Sequence, residues 1–271
     1  MSDVAEREVM GEGSNGAWRP VEAHPGLKAA VVGMLLLKTR IFFSPSSLLK
    51  NLGGGFALGL MVYLWSRGNP NAMISEWLET PFLGYLLPLT CLTMGGGAIR
   101  NEIKEYTIEY LWTRALKRSH LLIGTYVASV VATFCFCVFY GTVICLAGFL
   151  RGVGISGGDY LSLLLATFGG CLAYVAISLL LGVVTGRFMV LGILYGSLVE
   201  VGISQIPMNV RNLAVSHHLK GIYPGSLSSD GGVLWAWALG LGPCLLIAAL
   251  ALAVGSLVFS NKQYSIGAGK D

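Results

Sequence analysis

The sequence predicts an all-α polytopic membrane protein, with six transmembrane helices preceded by a cytoplasmic interfacial helix. Three observations carry this. Of 271 residues, 54% are hydrophobic and only 12% are charged, whereas a soluble domain carries about a quarter charged residues. Runs of roughly 20 apolar residues recur, each long enough to cross about 30 Å of hydrocarbon as a helix. An open sheet would leave backbone groups unpaired in lipid, so helices are the expected spanning element. Finally, the Lys and Arg residues are distributed unevenly over the segments that join these runs.

Residues 1–26 are polar and partly acidic (Asp3, Glu6, Glu8, Glu12, Glu22) and lack the apolar core of a secretory signal. They read as a flexible cytoplasmic tail. A six-helix transmembrane domain follows over 27–260, and residues 261–271 form a cytoplasmic C-terminal tail. Within the domain, 27–45 is apolar but interrupted by Lys28, Lys38 and Arg40, with Pro45 at its end. That pattern suits a helix lying in the cytoplasmic interface. A first transmembrane helix is the alternative, and it would move the N-terminus across the membrane. The spans are predicted at Leu48–Trp65, Trp77–Ile99, Leu121–Leu150, Asp159–Thr185, Phe188–Ile206 and Val233–Ser260.

Topology follows from the cations. One side collects Arg7, Arg19, Lys28, Lys38, Arg40, Lys50, Arg100, Lys104, Arg114, Lys117, Arg118, Arg187, Lys262 and Lys270, and the other only Arg67, Arg151, Arg211 and Lys220. Fourteen of the 18 cations on one side predict a plasma (cell inner) membrane protein with both termini cytoplasmic. The net charge of +4 is then a topology signal, not a nucleic-acid footprint, because the basic residues lie on separate membrane-flanking loops.

Within the spans, Gly55 and Gly59 stand four apart on the first helix, while Pro88 and Pro243 interrupt the second and last. Each proline either kinks its helix for a moving function or has its kink absorbed by neighbouring helices. The cysteines (Cys91, Cys135, Cys137, Cys145, Cys171, Cys244) all fall in apolar runs, where cysteine behaves as a small hydrophobe. Cys135 and Cys137 point about 200° apart on a helix and are poor co-ligands for one metal. The segment 207–232 is long, predicted external, and contains a weakly apolar run, Val210–Leu219, able to form a helix dipping into the outer bilayer. His217-His218 within it read as solvent-facing loop residues more readily than as a metal site, for want of a third ligand.

The segment 100–120, RNEIKEYTIEYLWTRALKRSH, is the charged stretch enclosed by two long apolar runs. As a helix over Asn101–Trp112 it gathers Ile103, Thr107, Tyr110 and Leu111 on one side, with Glu102, Lys104, Glu105 and Glu109 largely elsewhere. Such a helix fits a groove on a soluble partner, its apolar face giving area and its charges setting register. Lying on lipid headgroups is the alternative.

In the fifth span Glu200 is an acid deep in an apolar helix, in line with Gly192, Gly196 and Ser204 at spacing four. An intramembrane carboxylate is costly unless paired or hydrated. Two readings stand. Glu200, Gly196 and Ser204 line a substrate pathway, or Glu200 is a structural group, protonated or paired with Arg211. The Walker-like Gly267-Ala-Gly-Lys270 lacks the following Ser/Thr and helix needed to cradle phosphate, so ATP hydrolysis is not expected on this chain. An intramembrane enzyme would need a clustered nucleophile, base or metal set, which these spans do not offer.

The loop resembles that of the membrane permeases of type-2 ATP-binding-cassette (ABC) exporters, matching at Glu102, Thr107, Glu109, Leu111, Thr113, Arg118, Leu122 and Gly124. It departs at Tyr106, where the family has Gly, at Ala115, where it has Pro, and at Thr125, where it has Lys. The resemblance implies a transport subunit, not an enzyme. It implies a second permease copy or related permease, and two cytoplasmic ABC ATPase subunits that carry ATP and Mg. It makes Glu102–Trp112 the coupling helix, with Glu102, Glu105, Thr107, Glu109, Leu111, Arg114 and Arg118 in the ATPase contact and Gly186–Arg187 a second, smaller one. Partners are then the ATPases, the other permease and membrane lipid, with no nucleic acid and no cofactor or metal on this chain. A membrane anchor or scaffold using the same loop on a non-ATPase partner is the alternative.

Overall fold

The computed structural model describes residues 31–36, 45–65, 76–104, 118–198, 214–223 and 233–261, and within these every regular element is helical. After a short helical stretch at 31–36 come α1 (Pro45–Trp65), α2 (Leu78 to Lys104), α3 (Arg118–Leu150), α4 (Gly157–Val184), α5 (Phe188–Tyr195), α6 (Val215–Ile222) and α7 (Val233–Asn261). Four helical stretches are long and apolar enough to cross a membrane: Leu78–Arg100, His120–Leu150, Gly157–Val184 and Leu239–Asn261. Leu52–Trp65 and Phe188–Leu198 are shorter apolar helices. Most of the predicted interfacial segment 27–45 lies outside the described residues. Pro45 opens α1, where its missing N–H and fixed φ are tolerated at a helix start.

The helix α4 is the axis of the bundle. Its start is fixed by a capping box: the Asp159 backbone N–H donates to Ser156 Oγ at 3.2 Å, and the Ser156 N–H donates to Asp159 Oδ2 at 3.3 Å. Reciprocal satisfaction of two end donors is what this motif achieves. Thr185, in extended conformation, ends the helix at the far side. Between them Gly169, Gly170, Ala173, Ala176 and Gly182 are buried, and these small side chains let neighbouring helices approach closely. At the closest point a Cβ on Gly182 would lie 2.8 Å from the Gly96 carbonyl oxygen and 3.1 Å from its Cα. The backbones of α2 and α4 therefore touch directly.

On the outside of α3, α1 uses the glycine pair singled out above. A Cβ on Gly55 would run into the Phe139 ring, and one on Gly59 would meet Val143 at 2.8 Å. Small residues four apart on one helix accept large ones four apart on the other. The C-terminal end of α1 is held by Arg151, which follows α3. Its Nε and Nη2 donate to the Tyr63 carbonyl oxygen at 3.1 and 2.6 Å, and its guanidinium lies 3.8 Å over the Tyr63 ring. A cation bonded to a terminal carbonyl complements the helix dipole.

The prolines differ in effect. Pro88 sits in the first turn of the α-helical stretch Leu87–Cys91, bracketed by two π-helical stretches, Leu78–Leu86 and Leu92–Gly96. Pro81 lies inside the first of these π stretches. Pro243 lies inside α7, which continues as a helix to Asn261.

Candidate functional site

At one end of the bundle Arg100 closes the apolar part of α2, and its guanidinium reaches the turn between α4 and α5. A Cβ on Gly186 would stand 2.7 Å from Arg100 Nη2 and 3.3 Å from Cζ, so glycine keeps the place open for the cation. The last carbonyls of α4 carry partial negative charge there, which favours a guanidinium. Among the described residues, none accepts a hydrogen bond from the buried Arg100 Nε. In the same turn the Arg187 N–H donates to Thr185 Oγ1 at 3.2 Å, and Arg187 itself is exposed at the start of α5. Arg100, two residues before the predicted contact helix Glu102–Trp112, is thus a neighbour of the Gly186–Arg187 turn.

Of the predicted loop residues, Glu102 lies on the last turns of α2 and Arg118 on the first residue of α3, both described as backbone. Glu105, Thr107, Glu109, Leu111 and Arg114 lie outside the described residues, as do Glu200 and Ser204.

Gly196 is described. It continues α5 as a π turn and borders a cavity of about 360 Å³ between α2, α4 and α5. The walls include Tyr85, Pro88 and Leu92 of α2, Tyr174 and Ser178 of α4, and Gly192 and Gly196. Both π stretches of α2 contribute, through Gly84–Tyr85 and through Leu92. Helices of this type are rare and recur at functional sites. A Cβ on Gly192 would run into Leu92, whereas among the described residues nothing comes within 4 Å of a Cβ on Gly196, so the floor at Gly192 is tight. The Ser178 hydroxyl is turned away to donate to the Cys91 and Val175 carbonyl oxygens at 3.0 and 2.9 Å. What remains is a mostly apolar wall with few polar groups, in the size range of small-molecule sites.

Two arrangements escaped the sequence reading. The buried thiols of Cys91, Cys137 and Cys171 come together from α2, α3 and α4, with Thr90 Oγ1 3.3 Å from Cys137 Sγ. Spacing along the chain holds no signal for this, since each lies on a different helix. Among the described residues no group of three or more His, Cys, Asp or Glu is placed to hold a metal ion. The second is α6. Within the segment expected to be external, a helix lies at Val215–Ile222 and is packed into the bundle. Val215, Leu219 and Ile222 are fully buried, Leu219 against Gly169 and Gly170 of α4 and Ile222 against Gly240 of α7. His217 and His218 are half-buried on this helix, not free in a loop, because the apolar face beside them seats the whole segment.

Several long apolar helices around a buried helix of small residues, with a mostly apolar cavity among them, define a polytopic α-helical membrane protein. More narrowly, the chain belongs to the family described as Protein of unknown function (DUF2705), which matches residues 31–200. That stretch takes in the cavity helices and the charged loop and leaves out α6 and α7. Comparison with curated proteins gives no match.

Proposed function

We propose that this chain is the permease subunit of an ATP-driven ABC exporter. It has six spans, counting the two shorter apolar helices, an interfacial helix before them, and both termini in the cytoplasm of the cell it encloses. Two permeases, identical or related, form the pathway, and two cytoplasmic ABC ATPases bind and hydrolyse ATP with Mg. Glu102, Glu105, Thr107, Glu109, Leu111, Arg114 and Arg118 dock on the ATPase, with Arg187 beside them.

The observation that carries this reading is the Arg100–Gly186 contact. A push on the loop after α2 reaches the α4–α5 turn directly, and both α2 and α5 wall the cavity. A partner moving that loop would reshape the cavity without touching it. Gly196 borders this space, which favours a pathway role for it, and the proposal gives Glu200 and Ser204 the same role.

Affinity purification from native membranes tests the proposal, with wild type beside Glu102→Arg/Glu109→Arg. A Walker-containing subunit with ATPase activity should accompany the wild type and fall at least about tenfold in the double variant, since like charges facing a complementary groove cost several kcal/mol. A non-ATPase partner in both samples would favour the scaffold reading instead.

A further inference from the structure

The seam between α2, α4 and α5 is closed at the end where Arg100 meets Gly186. A Cβ on Gly182 would press on the Gly96 carbonyl oxygen, one on Gly96 would run into the Phe188 ring, and one on Gly192 would run into Leu92. At successive levels, then, the helices meet without a gap between the Gly186 turn and the cavity of about 360 Å³. The α4 wall is closed as well, with Tyr174 and Ser178 only 4% and 2% exposed. The opposite side differs. Tyr85 and Leu89 of α2 and Ile193 of α5 line the cavity and are each more than half exposed. They belong to the apolar helices Leu78–Arg100 and Phe188–Leu198, whose outward sides meet hydrocarbon in a bilayer.

The walls also select by charge. Among the described residues that line the cavity, none is charged. An ionic ligand would exchange water or headgroups for a surface with no counter-charge, which is costly. Two of the wall hydroxyls are spent on backbone: Ser178 donates to the Cys91 and Val175 carbonyl oxygens, and Ser197 to that of Leu194 at 3.1 Å. Tyr85 brings a neutral hydroxyl to the exposed side, on a ring that is otherwise apolar.

We infer that this cavity is a lateral binding site for an uncharged amphiphile of the bilayer, an apolar body with a hydroxyl or carbonyl oxygen. It enters between α2 and α5 past Leu89 and Ile193 and meets the Tyr85 hydroxyl. This names the substrate class of the pathway proposed above, and rests on that reading for the ligand's role as cargo. The binding itself needs no partner.

The test is photolabelling of the full chain in native membranes washed free of nucleotide, with a diazirine-bearing hexadecanol as the probe and adducts located by mass spectrometry. Adducts are expected within 84–92 and 192–197. Unlabelled hexadecanol should displace them at least about fivefold better than hexadecyl sulfate or hexadecyltrimethylammonium. Tyr85→Phe, which removes only the hydroxyl, should weaken the labelling about fivefold. Gly196→Trp places a large side chain where, among the described residues, nothing comes within 4 Å of a Cβ, and most cavity labelling should be lost. Leu89→Trp at the mouth serves instead should that variant fail to fold. Equal displacement by the charged competitors would overturn the neutral-ligand assignment. Adducts spread over the outward residues of α1 and α7 and unchanged by either Trp variant would mean bulk lipid contact and overturn the site. Absence of cavity adducts, the outcome if a second copy's side chains fill the space, would overturn it too. Because labelling is read without ATP, its failure leaves the driven-permease reading to the purification test, and failure of that test leaves the binding site standing.

Discussion

Gly182→Val should largely abolish recovery of folded protein after detergent extraction. The closest neighbours of a new Cβ are the Gly96 carbonyl oxygen at 2.8 Å and Cα at 3.1 Å. These are backbone atoms and cannot rotate away. The helices must separate instead, and with them goes the contact that a Cβ on Gly95 would also close, against the Val175 carbonyl oxygen at 3.2 Å. Overpacking costs about 1–3 kcal/mol and sometimes more, and a branched side chain between two backbones belongs at the upper end. Gly242→Ala is the control. Nothing lies within 4 Å of its Cβ position, so alanine there should be neutral or slightly stabilising in a helix. Size-exclusion recovery and thermal midpoints measure both. Equal behaviour of the two variants would remove the close α2–α4 crossing from the account.

Leu219→Asp is expected to unseat α6. Leu219 is fully buried against Gly169 and Gly170 on α4, an apolar seat for a carboxylate. Removing a buried leucine side chain costs about 2–5 kcal/mol, and burying an unpaired carboxylate adds to it. The thermal midpoint should drop by about 10 °C, and hydrogen exchange in 214–223 should rise sharply. Leu219→Met, which conserves volume, should cost under about 1.5 kcal/mol. An Asp variant with wild-type exchange would show that α6 is not held by this seat.

The helices were legible because hydrophobic runs of spanning length are a one-dimensional signal. The start of α4 was read at Asp159 and found at Gly157, a shift that Ser156 explains, since the cap lies outside the apolar run. The glycine pair Gly55 and Gly59 was legible for the same reason, as spacing alone brings both to one face. The π turns of α2 were not, because they change backbone register without changing composition. Nor was the cavity, whose walls come from residues as far apart as Gly84 and Ser197. The meeting of Arg100 with Gly186 and the gathering of Cys91, Cys137 and Cys171 depend on how helices cross, which no local pattern encodes. His217 and His218 were misjudged because their polarity hid the apolar stripe of Val215, Leu219 and Ile222 that buries the segment.

The central claim is that the loop after α2 engages an ATPase, and a photocrosslinking amino acid at Thr107 tests it most directly. Irradiated in native membranes, the Thr107 derivative should yield an adduct whose second chain carries a Walker motif, and the adduct should diminish with Glu102→Arg/Glu109→Arg. Adducts solely with lipid, or with a chain lacking a nucleotide-binding motif, would contradict the driven-permease account.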